Sequence, residues 1–276
     1  MDRREFEQTL VLIKPDALRN SLTGYILSQL SEYHSGLRFA ATKVIDVSEM
    51  LAAQHYAEHQ GKPFYASLIS YIRGLEHYPT DAWKRRVIAI VFQGPDAVRR
   101  IRSIVGPTNP HAAREARPGS IRALGTVVPV KDENGKVVGE RMDNLIHASA
   151  TDDEAEREIK LWFRPNDIPP LMRAYATEMS SEHYYVRDGR LGTSFAPGSI
   201  CVLAPGDVGW QSDLNTLRLL SRGIPAPVSL EAVIAKYMIN DQRELTPDRR
   251  PGKQKWIWKA LGMVDSSIRW IRSLRK

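Results

Sequence analysis

The strongest constraint on this chain is a change of pattern at Pro169-Pro170. Before it, short β-branched runs alternate with apolar stripes at helical spacing; after it, that rhythm is lost. Residues 9–13 read as a strand that ends at Lys14-Pro15, and a proline there suits the first turn of a helix. Leu22, Ile26, Leu27 and Leu30 then form one helical stripe. Residues 37–47 read as a second strand, with helical stretches at about 49–58 and 63–73. Residues 87–92 read as a buried strand, and Val98, Ile101 and Val105 mark the next helix face. Two prolines and a glycine make 106–110 a loop. The stretch 129–141 also reads as loop-like, with a hairpin signal at Asn134-Gly135. A short strand follows at 144–147. Thr151 and Glu154 then form a capping box that opens a helix to about Phe163. This order fits a parallel doubly wound sheet or a split βαβ sandwich of the ferredoxin type, and periodicity does not choose between them.

Beyond 168 the pattern is thinner. Short strands are expected at 184–186 and 200–203, and helices at 212–221 and 229–240. Residues 247–252 read as a linker and 253–275 as a basic amphipathic helix. The chain therefore divides into 1–168, 169–248 and a tail, 249–276. Its net charge of +7 resides in that tail, where nine basic side chains meet one acidic; residues 1–248 carry 30 basic and 31 acidic. Ile257, Ala260, Leu261, Val264, Ile268 and Ile271 form the tail's apolar stripe. An anionic membrane surface, nucleic acid or an acidic partner would suit such a tail, as would packing on its own domain.

Composition excludes several classes. At 42% hydrophobic and 26% charged the chain is ordinary globular protein in a single length of 276 residues. Its longest apolar runs fall far short of the roughly 18 residues of a membrane span. One cysteine, Cys201, allows neither an intrachain disulfide nor a cysteine zinc cluster, and the opening MDRREFEQTL is too charged for a signal peptide. A cytoplasmic protein, membrane-associated at most through its tail, is the expectation.

Three polar residues stand where the pattern wants carbon: Arg102 beside Ile101, Glu158 beside Ile159, and His147 after Leu145-Ile146. Each alone reads more often as a satisfied structural group; a charge facing a core must be paired or used. Glycine-rich phosphate loops, protein-kinase signatures and metal spacings are absent from the sequence. A phosphate site would then be built from side chains such as Lys14, Arg102, Thr108 and Arg122.

Six stretches in order carry a resemblance: Lys14-Pro15-Asp16; Tyr56; Lys62-Pro63-Phe64; Arg102 with Gly106, Thr108, Asn109 and Pro110; Arg117 to Arg122; and Asn144 to Ser149. Together with the helix ending Glu158 to Phe163, they resemble the nucleoside diphosphate kinase family across about residues 7–168. The resemblance implies an α+β, ferredoxin-like fold, a four-stranded antiparallel sheet with helices on one face, plus a C-terminal extension of mixed or helical structure. It implies ping-pong transfer of the γ-phosphate of a nucleoside triphosphate to a nucleoside diphosphate through a phosphohistidine at His147. Glu158 and Ser149 would support His147, and Lys14, Arg102, Arg122 and Thr108 would hold phosphate oxygens, with Tyr56 near the γ-phosphate. Asn144 and Lys14 would reach the ribose, and Phe64 would stack on the base with Leu68 beside it. Mg²⁺ would arrive with the nucleotide, needing no dedicated protein ligand. A homo-oligomer is expected.

The chain departs from the family pattern at Ala150, where an aspartate usually follows His-x-Ser, and at Ala17, Asn20 and Pro107. It also runs long at about 74–86 and 126–141. The missing aspartate keeps open a rival reading, a catalytically weak nucleotide-binding scaffold directed by residues 169–276.

Overall fold

The computed structural model describes residues 7–131 and 134–239. It divides into two compact units, Met1–Tyr175 and Ala176–Lys276. The boundary thus falls seven residues after the expected 168, because the chain through Met172 still belongs to the first unit: the Met172 carbonyl accepts from Gln8 and Gln93 side chains at 2.6 and 3.2 Å.

The first unit is built on a four-stranded antiparallel sheet. Its strands are β1 (Gln8–Ile13), β2 (Arg38–Ile45), β3 (Val87–Gln93) and, after the hairpin β4 (Thr126–Lys131) and β5 (Val137–Asp143), β6 (Ile146–Ala148). The order is β2-β3-β1-β6, which is the ferredoxin-like arrangement and excludes the parallel sheet. The central strand reads Gln-Thr-Leu-Val-Leu-Ile without polar alternation, and all six residues are buried. Each large apolar side chain there contributes about 1.5–3 kcal/mol by leaving water.

Eight α-helices accompany the sheet among the described residues of this unit: α1 (Pro15–Arg19), α2 (Thr23–Gln29), α3 (Glu32–Ser35), α4 (Glu49–His55), α5 (Tyr65–Ile72), α6 (Ala97–Val105), α7 (Pro110–Ala116) and α8 (Asp152–Trp162). Val11, Ile13, Ile90, Phe92, Ile146 and Ala148 pack with Ile26 and Leu30 around α2 and with Ile101 and Val105 of α6. The opposite face, carrying Leu10, Leu12 and His147, is covered by α8 and α4. Helices therefore lie on both faces, correcting the one-sided expectation. The reason is in β1 itself, since a strand buried at every position, with four consecutive apolar residues from Leu10 to Ile13, needs cover on both sides.

Polar side chains cap several helices, the expected Thr151 among them. Ser48 accepts from Leu51 N at 3.1 Å, Asn109 from His111 N at 2.8 Å ahead of Pro110, and Thr151 from Glu154 N at 3.2 Å. Glu154 reaches back to the N–H of Ala150 rather than of Thr151, at 3.0 Å. The expected loop 129–141 is instead the β4–β5 hairpin. Pro129 is paired opposite Glu140 in that two-stranded ribbon, an edge position that tolerates its missing N–H.

In the second unit β7 (Thr177–Met179) pairs with β11 (Val208–Trp210), and β8 (Tyr184–Arg187) lies between β9 (Arg190–Gly192) and β10 (Ile200–Leu203). Helices α9 (Gln211–Ser221) and α10 (Leu230–Ile239) follow. Leu214, Leu217, Val233 and Ile234 are buried, and Asp213 is buried with them, bound to Lys236 Nζ at 2.6 Å and to the Tyr237 hydroxyl at 3.0 Å. The expected tail helix lies outside the described residues. Among the described residues no helix is long and apolar enough to cross a membrane.

A histidine–carboxylate site beside buried cations

His147 is the middle residue of β6. Its neighbours Ile146 and Ala148 enter the core on one face, so strand alternation turns His147 to the other, opposite Leu12 of β1. The turn before it is tightly specified. Leu145 adopts φ 68°, a left-handed conformation costly for a branched side chain. Its N–H donates to Asp16 Oδ2 at 2.8 Å, and its carbonyl accepts from Lys14 N at 2.9 Å.

Glu158 comes from α8, with Ala155, Ile159 and Trp162 buried around it on the face toward the sheet. Its Oε2 lies 2.9 Å from His147 Nε2 and accepts from Ser149 Oγ at 2.6 Å. Burial pushes this carboxyl up, but the charge and hydrogen bond of His147 outweigh it, leaving it at about 2. The carboxylate is thus ionised, and it fixes the imidazole with its proton on Nε2. Nδ1 has no hydrogen-bond partner among the described residues, and in the neutral tautomer it is the nitrogen that carries the lone pair.

A second histidine, not singled out from the sequence, completes this cluster. His55 ends α4, buried, its ring 4.6 Å from that of His147 at 80°. Trp162 Nε1 donates to His55 Nδ1 at 3.2 Å, so the His55 proton sits on Nε2. Burial first, and then the charge of His147, hold His55 well below the usual histidine range, so it is neutral. The available signal was its place on the apolar face of a helix, next to Tyr56.

Cations stand alongside. Lys14, the residue before α1, is buried and donates to Asn144 Oδ1 at 2.7 Å. Burial pushes it down to about 8. Arg122 is buried too, donating to the Ile146 carbonyl at 3.1 Å and the Gly106 carbonyl at 3.0 Å. Burial and the charge of Arg102 push it down to about 10. Gly106, at φ 85°, lies against Ser120, and any side chain there would run into it. Asn144 Nδ2 donates to the Thr108 carbonyl at 2.9 Å. Cations held in a partly dry setting beside a nucleophilic nitrogen are suited to a phosphoryl group.

The family model described as nucleoside diphosphate kinase matches residues 7–168. The chain belongs to the nucleoside diphosphate kinase family. It is a kinase acting in nucleotide phosphate transfer. The nucleoside diphosphate kinase of Staphylococcus aureus (strain MSSA476) is 42% identical over 162 residues, 59% of this chain and 91% of that protein. Among solved structures, the nucleoside diphosphate kinase of Aquifex aeolicus is 30% identical with a TM-score of 0.47, covering 59% of this chain and 99% of its own. That of Halobacterium salinarum, in complex with CDP, is 34% identical with a TM-score of 0.45, covering 59% and 91%.

The remaining residues expected for a nucleoside diphosphate kinase site fall into three situations. Tyr56 is buried against His55, ring centroids 4.5 Å apart, and burial together with Glu158 keeps its phenol protonated. Arg102 and Thr108 are exposed, so Arg102 lies beside the apolar stripe of α6 rather than in it. Phe64 is 50% exposed, its ring 5.7 Å from that of His59, which in turn stacks 6.1 Å from Tyr56. Leu68 lies one turn further along α5, half-buried.

His55, His147 and Glu158 are near enough to share an ion, their ligand atoms all within 4.8 Å. Glu158 Oε2 already takes two short hydrogen bonds and His55 Nδ1 accepts from Trp162, while His55 Nε2 is buried without a partner.

Proposed function

We propose that this kinase moves the γ-phosphate of a nucleoside triphosphate to a nucleoside diphosphate in two half-reactions through His147. The observation that carries this reading is the 2.9 Å contact of His147 Nε2 with a carboxylate held ionised by its surroundings. It leaves Nδ1 as the nucleophile. The Nδ1 lone pair forms the bond to the γ-phosphorus as the bond to the bridging oxygen breaks, and that oxygen leaves with its electrons on the diphosphate. Positive charge develops on the ring, and Glu158 stabilises it. A terminal phosphate oxygen of an acceptor diphosphate then reverses the step. Lys14, Arg102 and Arg122 neutralise charge on the transferring oxygens, Thr108 adds a hydroxyl, and the protonated Tyr56 adds a donor. Lys14 and Asn144 take the ribose, and Phe64 with Leu68 takes the base by its face, with little selectivity.

Mg²⁺ fits this site as a passenger of the nucleotide. Of the carboxylates nearby, Glu158 is engaged by His147 and Ser149, and Asp16 through one oxygen by the N–H of Leu145, its Oδ1 being buried without a partner. Phosphate oxygens and water would hold the ion, and its charge would offset that of the phosphates. We further infer a homo-oligomer, supported by the family resemblance and by exposed Phe39 on the edge strand β2, to be read by light scattering. Cytoplasmic residence, with the basic tail meeting an anionic membrane or acidic partner, is proposed on charge alone and tested by vesicle binding with and without residues 249–276.

The deciding experiment labels the full chain with γ-labelled ATP and Mg²⁺, then chases with GDP. Acid-labile label that passes to GDP and is absent from folded His147→Ala supports the reading. A folded protein that binds ATP and takes no label overturns it.

A further inference from the structure

The two segments that run long against the family pattern meet each other beside Asn144. Arg141, on the β4–β5 hairpin, donates to Glu76 Oε2 at 3.0 Å. Its Nε and Nη2 also grip both oxygens of Asp143, at 2.7 and 3.1 Å. From the other segment, His77 Nε2 lies 2.9 Å from Asp143 Oδ2. His77 and Asp143 are buried, and the clasp is anchored further down: Arg19 donates to the His77 carbonyl at 3.1 Å, and Ser70 Oγ to Glu76 Oε1 at 2.8 Å. Burial pushes the Asp143 carboxyl up, yet the bonds and charges of His77 and Arg141 leave it below the usual carboxylate range.

Asp143 ends β5, and the next residue is Asn144, whose side chain joins Lys14 to the Thr108 carbonyl. The backbone here has little slack. A methyl group on Gly125 would stand 2.6 Å from the Asp143 carbonyl oxygen and 3.1 Å from Asn144 Cα, and Leu145 follows in its left-handed conformation. A turn this constrained is set by what grips its ends. One end is held by Asp16 and Lys14 through Leu145; the clasp on Asp143 holds the other.

We propose that Asp143 is a positioning residue for nucleotide binding. Held by His77 and Arg141, it fixes the turn that presents Asn144 to Lys14, so that the segments 74–86 and 126–141 together set nucleotide affinity rather than the chemistry at His147. This rests on the reading of Lys14 and Asn144 as nucleotide contacts.

The test uses the full chain, with Mg²⁺·ADP binding by calorimetry beside steady-state turnover with ATP and GDP. Asp143→Asn raises the ADP Kd and nucleotide KM about tenfold with kcat changed less than about twofold, the signature of lost ground-state binding. His77→Ala moves the same way, and His77→Gln, whose amide still donates, restores binding to within about threefold of wild type. In an Asn144→Ala background, Asp143→Asn adds less than about twofold, because both act through one side chain. Unchanged affinity in Asp143→Asn, a fall in kcat at constant KM, or the full loss repeated in the Asn144→Ala background overturns the proposal. Should Asp143→Asn not fold, the His77 pair of variants decides alone. Label transfer through wild-type His147 is scored separately. Its failure with a clasp-sensitive ADP Kd overturns the ping-pong reading alone; its success with a clasp-insensitive Kd overturns the clasp alone.

Discussion

Replacing Glu158 by glutamine isolates the charge behind the nucleophile. The side chain keeps its shape, and its carbonyl can still accept from His147 Nε2 and Ser149 Oγ, now 2.9 and 2.6 Å from Oε2. The amide –NH₂ then falls at the Oε1 position, 3.8 Å from Arg157 Nη2 and 3.7 Å from His55 Nδ1, which already accepts from Trp162. Neither neighbour welcomes a donor. A charge-assisted hydrogen bond is worth about 1.5–3 kcal/mol, roughly twice a neutral one, and the ring gains positive charge only as Nδ1 attacks. Because a neutral bond remains, about half of this is lost from the transition state, roughly 0.8–1.5 kcal/mol, which slows phosphorylation by about 4–12-fold. Because Glu158 does not touch the nucleotide, KM stays near the wild-type value. Rapid-quench measurement of phosphohistidine formation at saturating ATP reads the rate directly. A rate within about twofold of wild type, or a loss confined to KM, refutes the assigned role. Stability offers a second reading. A carboxyl depressed from 4.5 to about 2 stabilises the fold by about 3 kcal/mol above pH 4.5, lost as pH falls through 2. Denaturant titration of wild type against Glu158→Gln, at neutral pH and at pH 3, shows whether that acid sensitivity disappears.

Lys14, pushed down to about 8, loses its charge in the free enzyme as pH rises through that value, while bound phosphate favours the charged form. Nucleotide KM should climb above pH 8 by up to about tenfold per unit and be flat below it, a profile that Lys14→Met abolishes. Stability moves oppositely: the cost of burying the charge is present below pH 8 and is relieved as pH climbs toward 10.5, because the unfolded chain then binds more protons. Gly125→Ala forces a methyl group against two backbone carbonyls and should destabilise by about 1–3 kcal/mol, read by urea unfolding. In the second unit, Asp213→Ala strips the buried carboxylate from Lys236 and Tyr237 and should lower stability by about 3–5 kcal/mol, seen as a shifted denaturant midpoint.

What was legible in the sequence follows from where a local signal carries the structure. His147 and Glu158 stood out because each breaks an apolar pattern, and the contact between them is what lets each face the core. Thr151 marked the start of α8, and the β-branched and leucine run from Thr9 to Ile13 marked β1 as a strand. His55 was passed over because a histidine on a helix face looks like core until the indole of Trp162, 107 residues away, is seen to set its tautomer. Arg122 could as well have been a surface residue. Its burial depends on the carbonyls of Gly106 and Ile146, which only the tertiary fold brings to it. The hairpin was obscured by Pro129, and the three- and four-residue strands beyond 176 are shorter than any window in which alternation shows.

Ala150 is the departure that most favoured a degenerate scaffold, and the structure weakens that inference step by step. An aspartate at this position has two obvious uses: holding the start of α8 and supporting the histidine. The first is met by Thr151, which caps the helix, and by Glu154, which takes the Ala150 N–H. The second is met by Glu158 and Ser149, both buried and bonded to each other on the His147 side. Ala150 itself is exposed, so an added carboxylate there would face solvent and act on His147 only through a screened field. A missing surface charge of that kind adjusts a rate by fractions of a kcal/mol to about 1 kcal/mol; it does not remove the lone pair on Nδ1, the ionised Glu158 or the buried cations from which the kinase reading is built.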